Sequence, residues 1–201
     1  MPSLRVVVSV TAVLAAAVVS PATAAPKRCP LIVDPAGDAT TGSVNATYRP
    51  ELDILAADLK VVGKTFTTVI RLKRLPEGTQ LIAGLRYDFY LTRDDLFWTV
   101  DAVTDATGDR FSVQTGLPTD PTSPYRNFVV SGAFDIARSQ VTVTGPVSAL
   151  TVDGGKGGEV FSELFTRSFD SAMSTEEAGV YSSVDAAEGT RPYRIGQANC
   201  F

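Results

Sequence analysis

The sequence predicts an all-β fold, a single antiparallel β-sandwich of the jelly-roll or immunoglobulin-like kind. Two observations predict this fold class. Apolar residues recur at every second position in most segments between residues 65 and 144, and short polar turns separate those segments. Alternation is typical of strands with one face on a core, and such strands at short spacing favour antiparallel sheets. A short helix or loops are expected only in the C-terminal quarter.

Six segments are predicted to be strands. The alternation is clearest in residues 85–91, where Tyr87 and Phe89 point to one face and Asp88 points to the other. By the same rule Trp98 lies on the core face of its strand. In chain order the predicted strands are residues 65–72, 85–91, 96–102, 110–114, 127–131 and 140–144.

The connections between these strands are rich in turn-forming residues. Residues 76–78, 92–95 and 105–109 contain the Pro, Gly and Asp residues that favour turns, and residues 132–135 are predicted to be a hairpin connection. Toward the C-terminus the pattern weakens. There we expect a short helix or strand at residues 159–168, a loop with one helical turn at 174–187 and a closing strand at 192–195.

The first 24 residues have the pattern of a secretory signal peptide. A positive charge at Arg5 precedes an apolar run, and residues 22–24 read Ala-Thr-Ala, a typical cleavage site. The alternative is an uncleaved membrane anchor, for which the apolar run is short. We therefore expect cleavage after Ala24, a single β-sandwich domain over residues 25–201, a secreted or extracellular location and no transmembrane segment after cleavage.

The charge of the chain excludes one class of partner, and its cysteines predict a covalent link. The net charge of −4 is dispersed without a basic patch, which argues against nucleic acid. Cys29 and Cys200 lie near the two ends of the mature chain, and in an oxidising compartment they are predicted to form a disulfide. The alternatives are a cysteine metal site and a free thiol.

The chain contains no histidine, which removes most catalytic constellations that work at neutral pH. Carboxylate chemistry is left, and glycoside hydrolysis needs two carboxylates across a cleft. Asp94 with Asp95, or Asp105 with Asp109, are candidate pairs, but both pairs lie in predicted turns. No catalytic residue is therefore assigned, and a carboxylate-dependent glycosidase is kept as the alternative function.

Asp34, Asp38 and Asp53 are the candidate metal ligands. Asp34 and Asp38 bracket a Pro/Gly turn, and Asp53 stands at the head of a predicted strand within Leu52-Asp53-Ile54. Calcium takes six to eight oxygen ligands, including the backbone carbonyls that such turns expose. The alternative is a purely structural turn in which the aspartates accept backbone hydrogen bonds.

Tyr90 and Phe97 are the candidate ligand platform. Both fall on the faces of their strands opposite the core, where aromatic rings can stack on the apolar C–H surface of sugars. They could equally be covered by the C-terminal 50 residues.

These motifs resemble those of a group of secreted β-sandwiches that includes DOMON-like domains, the glucodextranase C-terminal domain and family-nine carbohydrate-binding modules. The resemblance spans roughly residues 30–150 and rests on Asp34-Pro35-Ala36-Gly37-Asp38, on Leu52-Asp53-Ile54 and on strands that end near Val141-Thr142-Val143. It implies a sandwich that binds sugars, or haem in some members, and that holds calcium in several. It carries Asp34, Asp38 and Asp53 over as the metal ligands.

We therefore expect a secreted, non-enzymatic binding or surface-associated module that is calcium-stabilised and binds carbohydrate. Its partners would be a glycan or another extracellular protein, and calcium would be its only cofactor. The absence of histidine, with methionine only at Met1 and Met173, leaves the haem ligation of some members unsupported. Besides the glycosidase, an accessory or inhibitory subunit of another exported protein remains as an alternative.

Overall fold

A computed structural model describes residues 30–40, 48–76, 84–94, 96–116, 126–151, 159–170 and 183–197. Within these residues two antiparallel sheets pack against each other, with a two-stranded ribbon beside them. The predicted all-β sandwich is thereby confirmed. Within the same residues, no helix is both long enough and apolar enough to cross a lipid bilayer.

The first sheet has five strands. They are β1 (Ile32–Val33), β2 (Ile54–Val62), β3 (Thr65–Leu72), β8 (Ser131–Asp135) and β9 (Gln140–Pro146). Their order across the sheet is β1-β2-β3-β9-β8, and every neighbouring pair is antiparallel. The strand β2 begins at Ile54, so Asp53 stands directly before it, as the sequence predicts.

The second sheet has six strands. They are β4 (Leu85–Arg93), β5 (Leu96–Asp105), β6 (Gly108–Gly116), β7 (Arg126–Val129), β11 (Glu163–Asp170) and β12 (Ser183–Glu188). Their order is β12-β11-β4-β5-β6-β7, again antiparallel throughout. The ribbon pairs β10 (Val160–Phe161) with β13 (Tyr193–Arg194).

The core lies between the two sheets and follows the predicted alternation. Tyr87, Phe89 and Trp98 point inward and are fully buried, whereas their strand neighbours point to the outer face of the six-stranded sheet. Burying side chains of this size contributes about 1.5–3 kcal/mol each from removal of apolar surface. The alternation therefore fixes which residues are left to build sites on the outer face.

The prediction of a hairpin connection at residues 132–135 is wrong, because these residues belong to β8. The connection to β9 lies at residues 136–139, where Ser139 has a φ of 49°. Gly132 has a packing role: a Cβ there would lie 2.3 Å from the ring of Phe111. Between β7 and β8 the chain passes at Val130 from one sheet to the other.

In the C-terminal quarter the closing strand predicted at 192–195 is present as β13, and the segment at 159–168 contains strands instead of a helix. The described residues of this quarter form the strands β10 to β13, including β12 where a loop with one helical turn was expected. Pairing with β11 holds β12 in the sheet despite its weak pattern, because tertiary context can override local propensity. The signal-peptide residues 1–24 and both cysteines, Cys29 and Cys200, lie outside the described residues, so cleavage and the disulfide remain predictions.

Candidate functional site

Three carboxylates meet at one edge of the sandwich. Asp34 and Asp38 lie on the turn that follows β1, and Asp185 lies on β12 of the other sheet. One oxygen from each of the three lies within 4.8 Å of the others. We call Asp34, Asp38 and Asp185 the carboxylate cluster.

The turn that carries Asp34 and Asp38 is held against the start of β2. Gly37 supplies the left-handed backbone conformation, with a φ of 101° that other residues rarely adopt. Its N–H donates to Asp53 Oδ2 at 2.9 Å, and the Asp34 N–H donates to the Leu55 carbonyl at 3.1 Å. These bonds place both aspartates of the turn over the head of β2.

Asp185 reaches the cluster from the opposite sheet. Its Oδ2 accepts the Ile54 N–H at 2.7 Å and its Oδ1 accepts the Ala186 N–H at 2.8 Å. The side chain is 7% exposed and lies on the inner face of the edge strand β12. The cluster therefore spans the two sheets, and the sequence reasoning missed this third member.

Asp53 lies beside the cluster as its support. The residue is fully buried, and Oδ2 accepts hydrogen bonds from the Gly37 N–H and the Tyr48 hydroxyl. The bond to Asp53 raises the pKa of Tyr48 to about 12. Asp53 Oδ1 is buried without a hydrogen-bond partner in the described part of the chain. Of the three predicted ligands, Asp34 and Asp38 converge with Asp185, while Asp53 anchors their turn and keeps one oxygen unpaired.

The segment before β2 is fixed to the six-stranded sheet. Ser168 Oγ donates to the Leu52 carbonyl and the Tyr87 hydroxyl donates to the Glu51 carbonyl, both at 2.6 Å. Arg49 Nη1 donates to Asp170 Oδ2, also at 2.6 Å. Because these anchors flank Asp53, the support of the cluster is held in one position.

The cluster concentrates negative charge. Burial, together with the charges of Asp185, Asp38 and Asp53, raises the pKa of Asp34 to about 7. Burial is also the main cause that raises the pKa of Asp185. Among the described residues, Asp34 Oδ2 is buried without a hydrogen-bond partner and none of the four carboxylates forms an ion pair. This charge is therefore uncompensated within the described residues.

An arrangement of this kind can hold a hard cation. Ca²⁺ binds carboxylate and carbonyl oxygens at 2.3–2.6 Å and accepts irregular geometry. Three converging carboxylates supply part of such a set, and a bound cation would remove the repulsion that raises the pKa of Asp34. Zinc sites, by contrast, use histidine or cysteine, and the chain has no histidine.

The predicted aromatic platform has a different arrangement. Tyr90 and Phe97 are half-buried on the outer face of the six-stranded sheet. The Tyr90 ring stacks on Phe165, with ring centroids 4.2 Å apart and planes 11° apart, and Arg167 lies over the Phe165 ring at 4.9 Å. One face of Tyr90 is therefore already covered by Phe165, and in the sheet register Tyr90 lies opposite Thr99 instead of Phe97.

A second acidic pair lies on the same outer face. Asp88 and Asp101 are direct cross-strand partners, and both are buried at 1–2% exposure. Arg86 bridges them, with Nε 2.7 Å from Asp88 Oδ1 and Nη2 3.1 Å from Asp101 Oδ1. Tyr90 donates to Asp88 and Ser112 donates to Asp101, at 2.8 and 3.2 Å. We call Arg86, Asp88 and Asp101 the outer-face network.

Of the candidate glycosidase residues, Asp94 lies in a turn, Asp105 ends β5 and Asp109 belongs to β6. Asp94 is 86% exposed, and Asp95 lies outside the described residues. Asp105 accepts hydrogen bonds from Thr107 and Arg110, which hold its pKa well below the usual range. These contacts give Asp105 a turn-stabilising role.

Comparison with known proteins assigns neither a family nor a function. No protein-family model matches the chain, and no curated protein sequence matches it. Among solved structures, the chain is similar to a "putative carbohydrate-binding protein" from Bacteroides uniformis, with 10% identity and a TM-score of 0.39 over 76% of this chain and 75% of that chain. The function is therefore inferred from the residues of this chain.

Proposed function

We propose that the protein is a secreted, non-enzymatic binding module whose sandwich is stabilised by one calcium ion at the carboxylate cluster. The observation that carries the proposal is the convergence of Asp34, Asp38 and Asp185 within 4.8 Å without a compensating positive side chain among the described residues. Asp185 is buried, Asp34 is half-buried and Asp38 is exposed, and like charges held this close are unfavourable unless a cation or protons neutralise them. A bound cation explains why the fold keeps them together.

Calcium is the cation that these ligands suit best. All the converging side-chain atoms are carboxylate oxygens, and they come from an irregular turn and an edge strand. Mg²⁺ requires near-octahedral geometry and keeps several waters, whereas Ca²⁺ tolerates irregular sets with backbone carbonyls. The predicted export would also bring the site to the extracellular space, where calcium modules work with dissociation constants of about 10⁻⁴–10⁻³ M.

The ion would stabilise the packing of the two sheets against each other. Asp34 and Asp38 follow β1 of the five-stranded sheet, while Asp185 belongs to the six-stranded sheet. An ion bound to all three ties the sheets together at the edge where β1 and β12 lie. Its contribution is folding free energy, because the unfolded chain does not hold the three carboxylates in place.

Calorimetric titration with calcium chloride tests the proposal, combined with thermal unfolding in calcium and in EDTA. We expect one binding event per chain and a higher melting temperature in calcium. At a free concentration of 100 Kd the gain in unfolding free energy is about 2.7 kcal/mol. The double variant Asp34→Asn/Asp185→Asn loses both effects, and Asp94→Asn on an exposed turn is the matched control. The absence of a heat of binding, together with a melting temperature that is the same in calcium and in EDTA, would contradict the proposal.

The partner class that accompanies this function is a carbohydrate, with another extracellular protein as the second candidate. A glycan array probed in calcium and in EDTA distinguishes a sugar-binding module from an accessory or inhibitory subunit. Reproducible binding to defined glycans supports the module. Release of reducing sugar from a bound glycan would instead indicate the glycosidase.

A further inference from the structure

A polar groove crosses the outer face of the six-stranded sheet, away from the carboxylate cluster. It has a volume of about 490 Å³, within the range of about 300–1,000 Å³ that is usual for small-molecule sites. Its walls come from β4, β5, β6 and β7, four consecutive strands of one sheet. We call it the outer-face groove.

The sheet register explains why the groove is polar. Asp101 on β5 pairs with Ser112 on β6, and Gln114 on β6 pairs with Asn127 on β7. All four residues point away from the core because their strand neighbours fill it. They place a carboxyl, a hydroxyl and two amides along the same surface, which supplies hydrogen-bond donors and acceptors side by side.

The charges of the lining cancel. Arg86 and Arg110 contribute two positive charges, and Asp101 and Asp109 contribute two negative charges. A groove with balanced formal charge gives no general advantage to an anionic or a cationic ligand. Its polar groups instead suit a neutral ligand that carries several hydroxyls, each of which both donates and accepts.

The floor of the groove is rigidly built. Asp101 is 2% exposed, and its two oxygens accept hydrogen bonds from Arg86 at 3.1 Å and from Ser112 at 3.2 Å. Burial, followed by the charge of Asp88, raises the pKa of Asp101 to about 8. Asp101 is therefore held between Arg86 and Ser112 at the base of the groove.

Apolar groups complete the lining. Val103 on β5 and Val129 on β7 stand on the same outer face, and Val129 is 92% exposed. Sugar rings present C–H groups as well as hydroxyls, so a mixed wall of this kind contacts both parts of the ring. The Tyr90 platform is less suited, because Phe165 already covers one face of its ring.

We propose that the outer-face groove binds a neutral carbohydrate, with Ser112, Gln114 and Asn127 contacting its hydroxyls and Val129 packing on its ring. This inference rests on the proposed binding function, and it moves the ligand from Tyr90 and Phe97 to the strands β5–β7. It does not depend on the calcium ion, since the cluster and the groove share no residue.

Nitrogen-15 NMR titrations test the inference. Maltose, cellobiose, xylobiose and mannobiose are the neutral probes, and glucuronate and glucosamine are the charged counterparts. We expect at least one neutral probe to shift the backbone amides of β5–β7 in a saturable way, and the charged probes to bind more weakly. Asn127→Ala removes an exposed amide from the groove and is expected to weaken binding about three- to tenfold. Gln140→Ala, which removes an amide from β9 of the other sheet, is the matched control and should bind as the unmodified protein does.

The titrations are run in calcium and in EDTA so that the two proposals fail separately. If the groove residues show saturable shifts but calorimetry detects no heat of calcium binding, the calcium proposal is refuted and the groove proposal is supported. Calcium binding with no neutral probe shifting β5–β7 would overturn the groove. Equal affinities of Asn127→Ala and unmodified protein, or a stronger response to the charged probes, would also overturn it.

Discussion

Carboxylates come together at two places on the six-stranded sheet, one on each face, and the two groups differ in how their charge is compensated. On the outer face, Asp88 and Asp101 lie opposite each other and Arg86 bridges them. On the inner face, at the edge strand, Asp185 meets Asp34, and among the described residues no positive side chain pairs with either. The first group contains its own counter-charge, and the second has none among the described residues.

The pKa shifts follow this difference. Arg86 sits between two carboxylates, which raise its pKa further despite the opposing effect of burial. Burial, followed by the charge of Asp88, still raises the pKa of Asp101, although Arg86 acts in the opposite direction. At the carboxylate cluster the pKa of Asp34 is raised to about 7, and no arginine among the described residues offsets this shift. We therefore expect the outer-face network to be insensitive to added metal and the carboxylate cluster to respond to calcium and to protons.

The largest expected effect comes from removing the internal counter-charge. Arg86→Met leaves Asp88 and Asp101 buried without their bridge, and breaking a buried ion pair from one side costs roughly 3 kcal/mol or more. We expect this loss in urea unfolding at neutral pH, with the same loss in calcium and in EDTA. Arg110→Met on an exposed pair is the control and should change stability several-fold less. Equal effects of the two substitutions would show that Arg86 does not compensate the pair.

The second expected effect is a change in unfolding free energy on substitution of Asp34, whose sign reverses when calcium is added. Without calcium, Asp34→Asn removes like-charge repulsion and is expected to stabilise the protein above about pH 7, where Asp34 is ionised. With saturating calcium the same variant loses a ligand and is expected to be less stable than the unmodified protein. Urea unfolding at about pH 8 in EDTA and in calcium measures both signs. The stability change caused by Asp94→Asn should have the same sign in both buffers. If the stability change caused by Asp34→Asn also had the same sign in both, the cation site would be refuted.

Much of this arrangement could be predicted from the sequence. Period-two alternation located the strands β3 to β7 and β9 and assigned Trp98 to the core, because the side-chain direction of a strand is a local property. The same alternation puts Asp88 and Asp101 on one face. Combined with the turn at residues 92–95, it could have revealed them as cross-strand partners. The turn motif likewise located Asp34 and Asp38 because they lie four residues apart.

Asp185 could not be found in the same way. It lies 131 residues after Ile54, whose N–H it accepts, and no local pattern links the two. Its strand, β12, reads Ser-Val-Asp-Ala-Ala-Glu, which has few β-branched or aromatic residues and takes its conformation from pairing with β11. Long-range pairing of an edge strand is a tertiary property. The third member of the cluster therefore became visible only in the folded chain.

The smallest of the three effects is the pH dependence of calcium affinity, and it bears on the cluster alone. In the folded, metal-free protein the pKa of Asp34 is raised from 3.8 to about 7. Protonation of Asp34 therefore stabilises the folded state relative to the unfolded state, and this stabilisation is lost as the pH rises through about 7. Calcium must displace the same proton, so its affinity should fall about tenfold between one pH unit above and one below that pKa. The raised pKa of Asp185 acts in the same direction. Calorimetry across this range should show the decline, while Asp34→Asn should bind more weakly with a flatter profile. A carboxylate must lose its proton before it binds calcium, so protons compete with the metal at such a site. If the calcium affinity of the unmodified protein did not change with pH, Asp34 would therefore not be a ligand of the ion.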